Sequence, residues 1–292
     1  MERTIGVVGW GVAALSTGVA GWALYKWCSL RRYIDNVATS KYSTESEVNK
    51  QLVHHYVDME NLVHLKELIS PSADKYHERL AQLCSEACDK YGAGKLSVLD
   101  VGCSVGGACF HLSKHFSEVV GADTSFEMLA AGQHLKVYPE FVSVLSSEGG
   151  KHIKIYKIKV PDNCLRDNIE FVDMDVCSDF MKVGFNCVLV SNVLTDLQCP
   201  KIFLKNLAAV LPPKGILVIA DPFLWPGGPE DKLNGDGSVK TSALLGRILG
   251  DSWTNKETTS MPLYIPQSER VALVASAEVS VWQRLPDSES SD

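Results

Sequence analysis

The sequence has no excess of basic residues. Lys and Arg number 28 against 35 Asp and Glu, giving a formal net charge of −7. A general nucleic-acid binder would carry a basic stripe, so that class is excluded. A disulfide framework is also lacking. The nine cysteines, at positions 28, 84, 88, 103, 109, 164, 177, 187 and 199, are odd in number and irregularly spaced, which points to a reducing compartment. Cys84 and Cys88 stand four apart, but no second Cys/His pair at metal spacing accompanies them, so no metal site is expected. Internal repeats are absent. What remains is an ordinary globular composition, 46% hydrophobic and 22% charged over 292 residues, enough for one large domain or two small ones.

Charge is missing altogether from Thr4 to Leu24, a run of 21 residues rich in Val, Ala, Gly and Leu. A bilayer needs about 20 such residues. Trp22, Tyr25 and Trp27 cluster at its far end, where aromatic rings sit at the headgroup level, and Lys26, Arg31 and Arg32 follow. The heavier positive flank is C-terminal, so the expectation is a single-pass membrane protein, anchored by residues 4–27, whose globular part faces the cytosol. A cleaved signal peptide or an organellar targeting sequence is the alternative. A signal peptide has a shorter apolar core and its basic residues in front. Small residues four apart, such as Gly9/Ala13 and Ala14/Gly18, fit either a weak homodimer through this helix or merely tolerated glycines.

Residues 28–43 form an expected juxtamembrane linker, 44–286 the globular unit and 287–292 a frayed tail. Helices are expected over Thr44–His55, with Glu47 three residues after a capping Thr44, and over Ser72–Tyr91, where Tyr76, Leu80, Leu83, Ala87 and Tyr91 share a face. Strands are then expected near Leu96–Val101, Glu118–Ala122, Ile169–Met174, Phe185–Val190 and Gly215–Ala220. Helices near Gly107–His115, Ser125–Lys136 and Pro200–Leu211 alternate with them. Such alternation specifies an α/β fold, a doubly wound Rossmann-like parallel sheet. The alternating run Lys151–Lys159 reads as a solvated edge strand guarded by lysines. Trp225–Ser238, rich in Pro, Gly and Asp, is a candidate lid. Val271–Ala275 and Val279–Arg284 read as closing antiparallel strands.

The turn after the first strand, Asp100-Val-Gly102-Cys103-Ser104-Val-Gly106, lets a backbone approach a ligand closely at its glycines. A dinucleotide site keeps G-x-G-x-x-G around a pyrophosphate. Here Ser104 replaces the middle glycine, and Asp100 would repel a pyrophosphate but suits a cationic methionine moiety. S-adenosylmethionine is therefore the expected cofactor. Asp123, ending the second strand beside Thr124, is placed to accept ribose hydroxyls. Asp175, with the Val176 amide, is a candidate reader of adenine, with Asp173 and Asp179 as competitors. Asn192 after the fourth strand falls at the sheet's C-terminal edge, on the methyl-transfer side, unless it only shapes a turn.

The Asp-x-Gly-x-x-x-Gly turn with an acid at the next strand end resembles the class I S-adenosylmethionine-dependent methyltransferases over about Leu96–Ala220. A narrower likeness joins Leu99-Asp-Val-Gly-Cys-Ser-Val-Gly-Gly107, Phe110–Ser113 and Glu118–Ser125 to Leu52-Val-His-His-Tyr56, Met261-Pro-Leu-Tyr-Ile265 and Ala277–Arg284. Together these resemble the 4-mercaptohistidine N1-methyltransferase family of ovothiol biosynthesis. The resemblance implies a class I methyltransferase domain over 44–286 that methylates an imidazole nitrogen of a small thiolated histidine. Asn192, Tyr56, His55 and Tyr264 are the candidates to orient that substrate. The family's iron-dependent sulfoxide synthase part has no counterpart, and the loop after Asp221–Trp225 and the apolar Arg270–Val274 depart from its pattern. A protein histidine or a membrane-borne small molecule is the alternative acceptor, and a noncatalytic membrane-tethered module the alternative of another class.

Overall fold

The computed structural model describes Tyr42 and residues 44–147, 150–179, 184–225, 232–233 and 239–286. The expected anchor and tail, the linker apart from Tyr42, and most of the candidate lid lie outside the described residues. Among the described residues no helix is long and apolar enough to cross a membrane.

Five apolar runs form parallel strands: β1 (Ser97–Val101), β2 (Glu118–Asp123), β5 (Ile169–Asp173), β6 (Cys187–Ser191) and β7 (Ile216–Asp221). The long β8 (Trp253–Pro266) and β9 (Ala272–Arg284) complete a seven-stranded sheet in the order β5-β2-β1-β6-β7-β9-β8, with β9 antiparallel to both neighbours. Reversal of direction between β1→β2 and β1→β6 leaves a crevice beyond the carboxyl end of β1, where doubly wound folds take their ligands. The fold is Rossmann-like.

Alternate strand residues feed two apolar layers. Val98, Val119 and Val218 face α1 (Glu45–Tyr56), α2 (Tyr76–Tyr91), α3 (Gly107–Leu112) and α4 (Phe126–Val137). Leu99, Val120 and Leu217 face α5 (Pro200–Val210) and α6 (Thr241–Leu249). Burial of both faces explains the unbroken hydrophobicity of the central strands. Phe171 of β5 fills a gap that three glycines leave open. A Cβ at Gly106, Gly121 or Gly132 would come within 2.5, 3.0 and 3.1 Å of its ring.

Several expectations need correction. The helix expected from Ser72 starts at Tyr76, because Pro71–Ala73 forms a separate 3₁₀ turn capped by Ser70 and Lys75 adopts φ 53°. Lys151–Lys159 does hold an exposed edge strand, as expected, but not in the main sheet. Its ordered strand, β4 (Ile153–Lys159), pairs with β3 (Glu140–Ser146) in a separate hairpin held to α1, where Asn49 Oδ1 accepts from Ser143 Oγ at 2.7 Å and Val144 N at 3.1 Å. The two closing strands are one, β9, and its partner β8 and helix α6 had no counterpart in the expected elements. The described cysteines are all free thiols.

Candidate active site: a cofactor crevice walled by histidines

A cavity of about 420 Å³ opens at the carboxyl ends of β1, β2 and β6. Its near wall is the turn after β1. Gly102 has φ 68° and Ser104 φ 52°, the left-handed region that favours glycine, so Ser104 holds a strained conformation of the kind that concentrates at functional sites. The strain is offset locally. Ser104 N donates to Asp123 Oδ2 at 2.8 Å, and Ser125 N donates to Asp123 Oδ1 at 2.9 Å. Asp123 thereby ties the turn to β2 while lining the cavity, and burial raises its pKa.

Asp100 also lines the cavity and is only 2% exposed. Burial pushes its pKa up to about 7; the Cys109 thiol, donating to Oδ2 at 3.2 Å, opposes the shift, and the nearby Asp123 charge adds to it. A buried carboxylate with one weak thiol donor is poised for a cation. Asn192 lines the same cavity at φ 51°, and its buried Oδ1 has no hydrogen-bond partner. Carboxylates, close-approach backbone and an unsatisfied amide oxygen fit S-adenosylmethionine with its ammonium, sulfonium and ribose, and do not fit a pyrophosphate.

A methyltransferase-domain family matches residues 72–241, more than half of the chain. The chain belongs to this methyltransferase family. It is an S-adenosylmethionine-dependent enzyme of the class I type, with S-adenosylmethionine as its cofactor. Similar solved structures include the N-methyltransferase NodS from Bradyrhizobium japonicum WM9 in complex with S-adenosyl-L-homocysteine, at 16% identity and TM-score 0.46, covering 79% of this chain and 98% of that one. Magnesium protoporphyrin IX methyltransferase (ChlM) from Synechocystis PCC 6803 with bound S-adenosylmethionine is similar at 14% identity and TM-score 0.44, covering 81% and 97%. No curated protein sequence matches the chain.

The methyltransferase gathers many of the expected site residues on this one cavity. Asp100, Gly102, Cys103, Ser104, Asp123 and Thr124 line it, as do Asp175, Asn192 and His55. Others are placed elsewhere. Gly106 packs against Phe171, and the Val176 side chain is buried in the apolar layer beneath α5. Tyr56 does not line the cavity; its hydroxyl donates to Val105 O at 2.7 Å, bracing the glycine turn from behind. Tyr264 is buried and its hydroxyl donates to Val57 O at 3.4 Å. Asp175 accepts from Cys177 N and Ser178 Oγ, which shapes its own turn.

Three lining residues, Tyr42, His54 and His77, carried no functional signal of their own. Tyr42 donates to Asp196 Oδ2 at 2.5 Å. His54, His55 and His77 form a wall shared with a second cavity of about 290 Å³. The His55 and His77 ring centroids are 3.8 Å apart, and those of His54 and His77 4.8 Å. Burial lowers the pKa of each, that of His54 to about 4, so all three are neutral at pH 7. Their nitrogens lie within 4.8 Å of one another, a spacing open to a metal. However, Gly107 N donates to His55 Nδ1 at 3.1 Å. A neutral imidazole has one lone pair; His55 has spent it, so its Nε2 carries the proton and offers a donor, not a ligand.

Proposed function

We propose that this methyltransferase methylates an imidazole nitrogen of a small thiolated histidine. The observation that supports the reading is where the most distinctive segments meet. Leu52–Tyr56 and Met261–Ile265, about 200 residues apart in the chain, pack together beside the cofactor crevice. The His54 and Tyr264 rings lie 6.2 Å apart, and Leu52 and Leu263 share one apolar cluster. These segments carry the resemblance to 4-mercaptohistidine N1-methyltransferases, and they contribute His54, His55 and Ile265 to the lining of the crevice.

In this reading Asp123 accepts the ribose hydroxyls, Asp100 faces the methionine ammonium, and Asp175 with the Val176 amide reads adenine. Asn192 borders the path of the methyl group. When bound, S-adenosylmethionine supplies a methyl group already activated on sulfur. The protein is left to place the acceptor nitrogen in line and exclude water, and orientation carries most of the rate. The protonated Nε2 of His55 donates to the sulfur of the thiolated ring, which leaves the ring nitrogen's single lone pair free for the methyl group. The ring proton displaced on methylation leaves to solvent, since an imidazolium gives it up near neutral pH without a dedicated strong base. Thr4–Leu24 anchors the enzyme to a membrane in the same reading, with the methyltransferase domain in the cytosol.

The test is incubation of the full chain with methyl-labelled cofactor and a panel of 4-mercaptohistidine, histidine, imidazole peptides and lipid extract. Label is expected on the thiohistidine ring. Label confined to lipid or to a peptide would overturn the reading.

A further inference from the structure

We propose that the second cavity, beyond the histidine wall, binds the charged end of a zwitterionic α-amino acid acceptor. The inference rests on the imidazole-methylation reading and adds where and how the amino-acid end is held.

Space is the first argument. The cofactor crevice, about 420 Å³, falls in the lower part of the range that holds one drug-sized ligand, roughly 300–1,000 Å³. Cofactor and acceptor together need more room. The adjoining cavity adds about 290 Å³ and shares His54, His55 and His77 with the first.

Charge is the second. The mouth of this cavity carries both signs: Asp58 and Lys75 are exposed, with Asp74 and Glu78 beside them. Glu78 is engaged by Lys114 at 3.2 Å, a second lining cation, Lys159, by Asp162 at 2.9 Å, and Asp74 Oδ1 accepts from Met59 N at 3.2 Å. Asp58 and Lys75 form no ion pair among the described residues. One anion and one cation at one mouth complement an ammonium and a carboxylate on the same carbon.

Lys75 itself is the third. It breaks two local rules at once. Its φ of 53° is a conformation suited to glycine or asparagine. It also occupies the N-cap of the 16-residue α2 without a side-chain capping bond, where a cation opposes the helix dipole and Ser, Thr, Asp or Asn belongs. Residues that violate local preference without a structural return mark functional positions. The first-turn amides of α2, which no side chain caps, and the Lys75 ammonium together make a carboxylate site. The turn is fixed from the other side, because Arg79 donates to Asp74 O at 3.0 Å and to Pro262 O at 2.7 Å. Deeper in, His111 lines the cavity at 9% exposure with an Nδ1 that has no hydrogen-bond partner. A buried orphan nitrogen of this kind calls for a ligand or water.

The experiment measures methylation by the full chain of 4-mercaptohistidine, its methyl ester and its Nα-acetyl derivative. Lys75→Gly relieves the backbone strain, so it folds at least as stably as the parent. It should raise KM for the free amino acid about five-fold, the scale of one exposed ion pair, and leave the ester unchanged. Asp58→Asn should raise KM for the free acid and the ester alike by a similar factor, with the acetyl derivative unaffected. Equal turnover of all three compounds by the parent, or equal effects of Lys75→Gly on acid and ester, would overturn this inference and leave imidazole methylation standing. Failure to methylate any of the three while S-adenosylhomocysteine still binds would instead remove the reading on which it rests.

Discussion

Asp100→Asn separates what this carboxylate does for folding from what it does for binding. In the folded, ligand-free protein the Asp100 carboxyl titrates near pH 7, whereas in the unfolded chain it titrates near 3.9. The folded state therefore holds an extra proton between those values, and stability falls as pH rises from about 4 to 7. Three units correspond to about 4 kcal/mol, an upper bound because the asparagine amide is itself costly to bury. In thermal unfolding at pH 8, Asp100→Asn should raise Tm, by up to roughly 10 °C for a domain of this size. At pH 5, where Asp100 is protonated in the parent, the gain should shrink sharply. Affinity should move the other way. S-adenosylhomocysteine keeps the amino-acid ammonium, so its binding requires the ionised form. With a pKa near 7, about nine-tenths of Asp100 is ionised at pH 8 and about one-tenth at pH 6. Calorimetric titration should show affinity falling about ten-fold between them, with proton release on binding near pH 6.5. A pH-independent affinity, or a variant equally stabilised at pH 5 and pH 8, would refute this account.

Gly102→Ala would place a Cβ 2.5 Å from Val193 Cγ2 at a φ of 68°. Denaturant unfolding should show a loss of about 3 kcal/mol, partly restored by Val193→Ala; an unchanged midpoint would contradict the geometry. Tyr56→Phe leaves Val105 O without its donor and should cost about 1 kcal/mol in denaturant unfolding; an unshifted transition would contradict the brace. Asp123→Ala removes the acceptor of two backbone amides as well as the expected ribose contact. Its S-adenosylhomocysteine affinity should drop at least ten-fold, a scale set by charge-assisted hydrogen bonds; retention of affinity would dismiss the ribose assignment.

The sheet core was legible because β1, β6 and β7 are buried on both faces and read as continuous apolar runs bounded by glycine or asparagine turns. The rim was not. β8 carries Asn255, Lys256, Glu257 and Thr258 through its exposed half, a polarity that reads as loop, and only pairing with β9 makes it a strand. β9 looked broken because Ser276 interrupts its alternation, yet all thirteen of its residues pair with β8, across one register shift between Asn255 and Glu257. The glycine turn announced itself through local spacing. The histidine wall could not, since His55 and His77 meet only when the last turn of α1 reaches the first turn of α2. Tyr56 and Tyr264 were singled out as tyrosines beside a site, but a hydroxyl can equally be spent on a carbonyl, and here both are.

The seat of Phe171 has a consequence for how this sequence can drift. Three glycines from three elements, Gly106, Gly121 and Gly132, face one ring; at Gly132 the ring alone keeps the position bare, while at Gly121 the Cys109 and Cys103 sulfurs crowd it more closely still. A relative with leucine or valine at position 171 is released from that constraint at 132 and should tolerate alanine there, whereas Gly121 would still meet the sulfurs of Cys109 and Cys103. Gly106, whose φ of 84° is a second and separate demand, should stay fixed. Loss of glycine at 132 in a homologue is then a record of a smaller side chain on the edge strand, and says nothing about whether the cofactor is still bound.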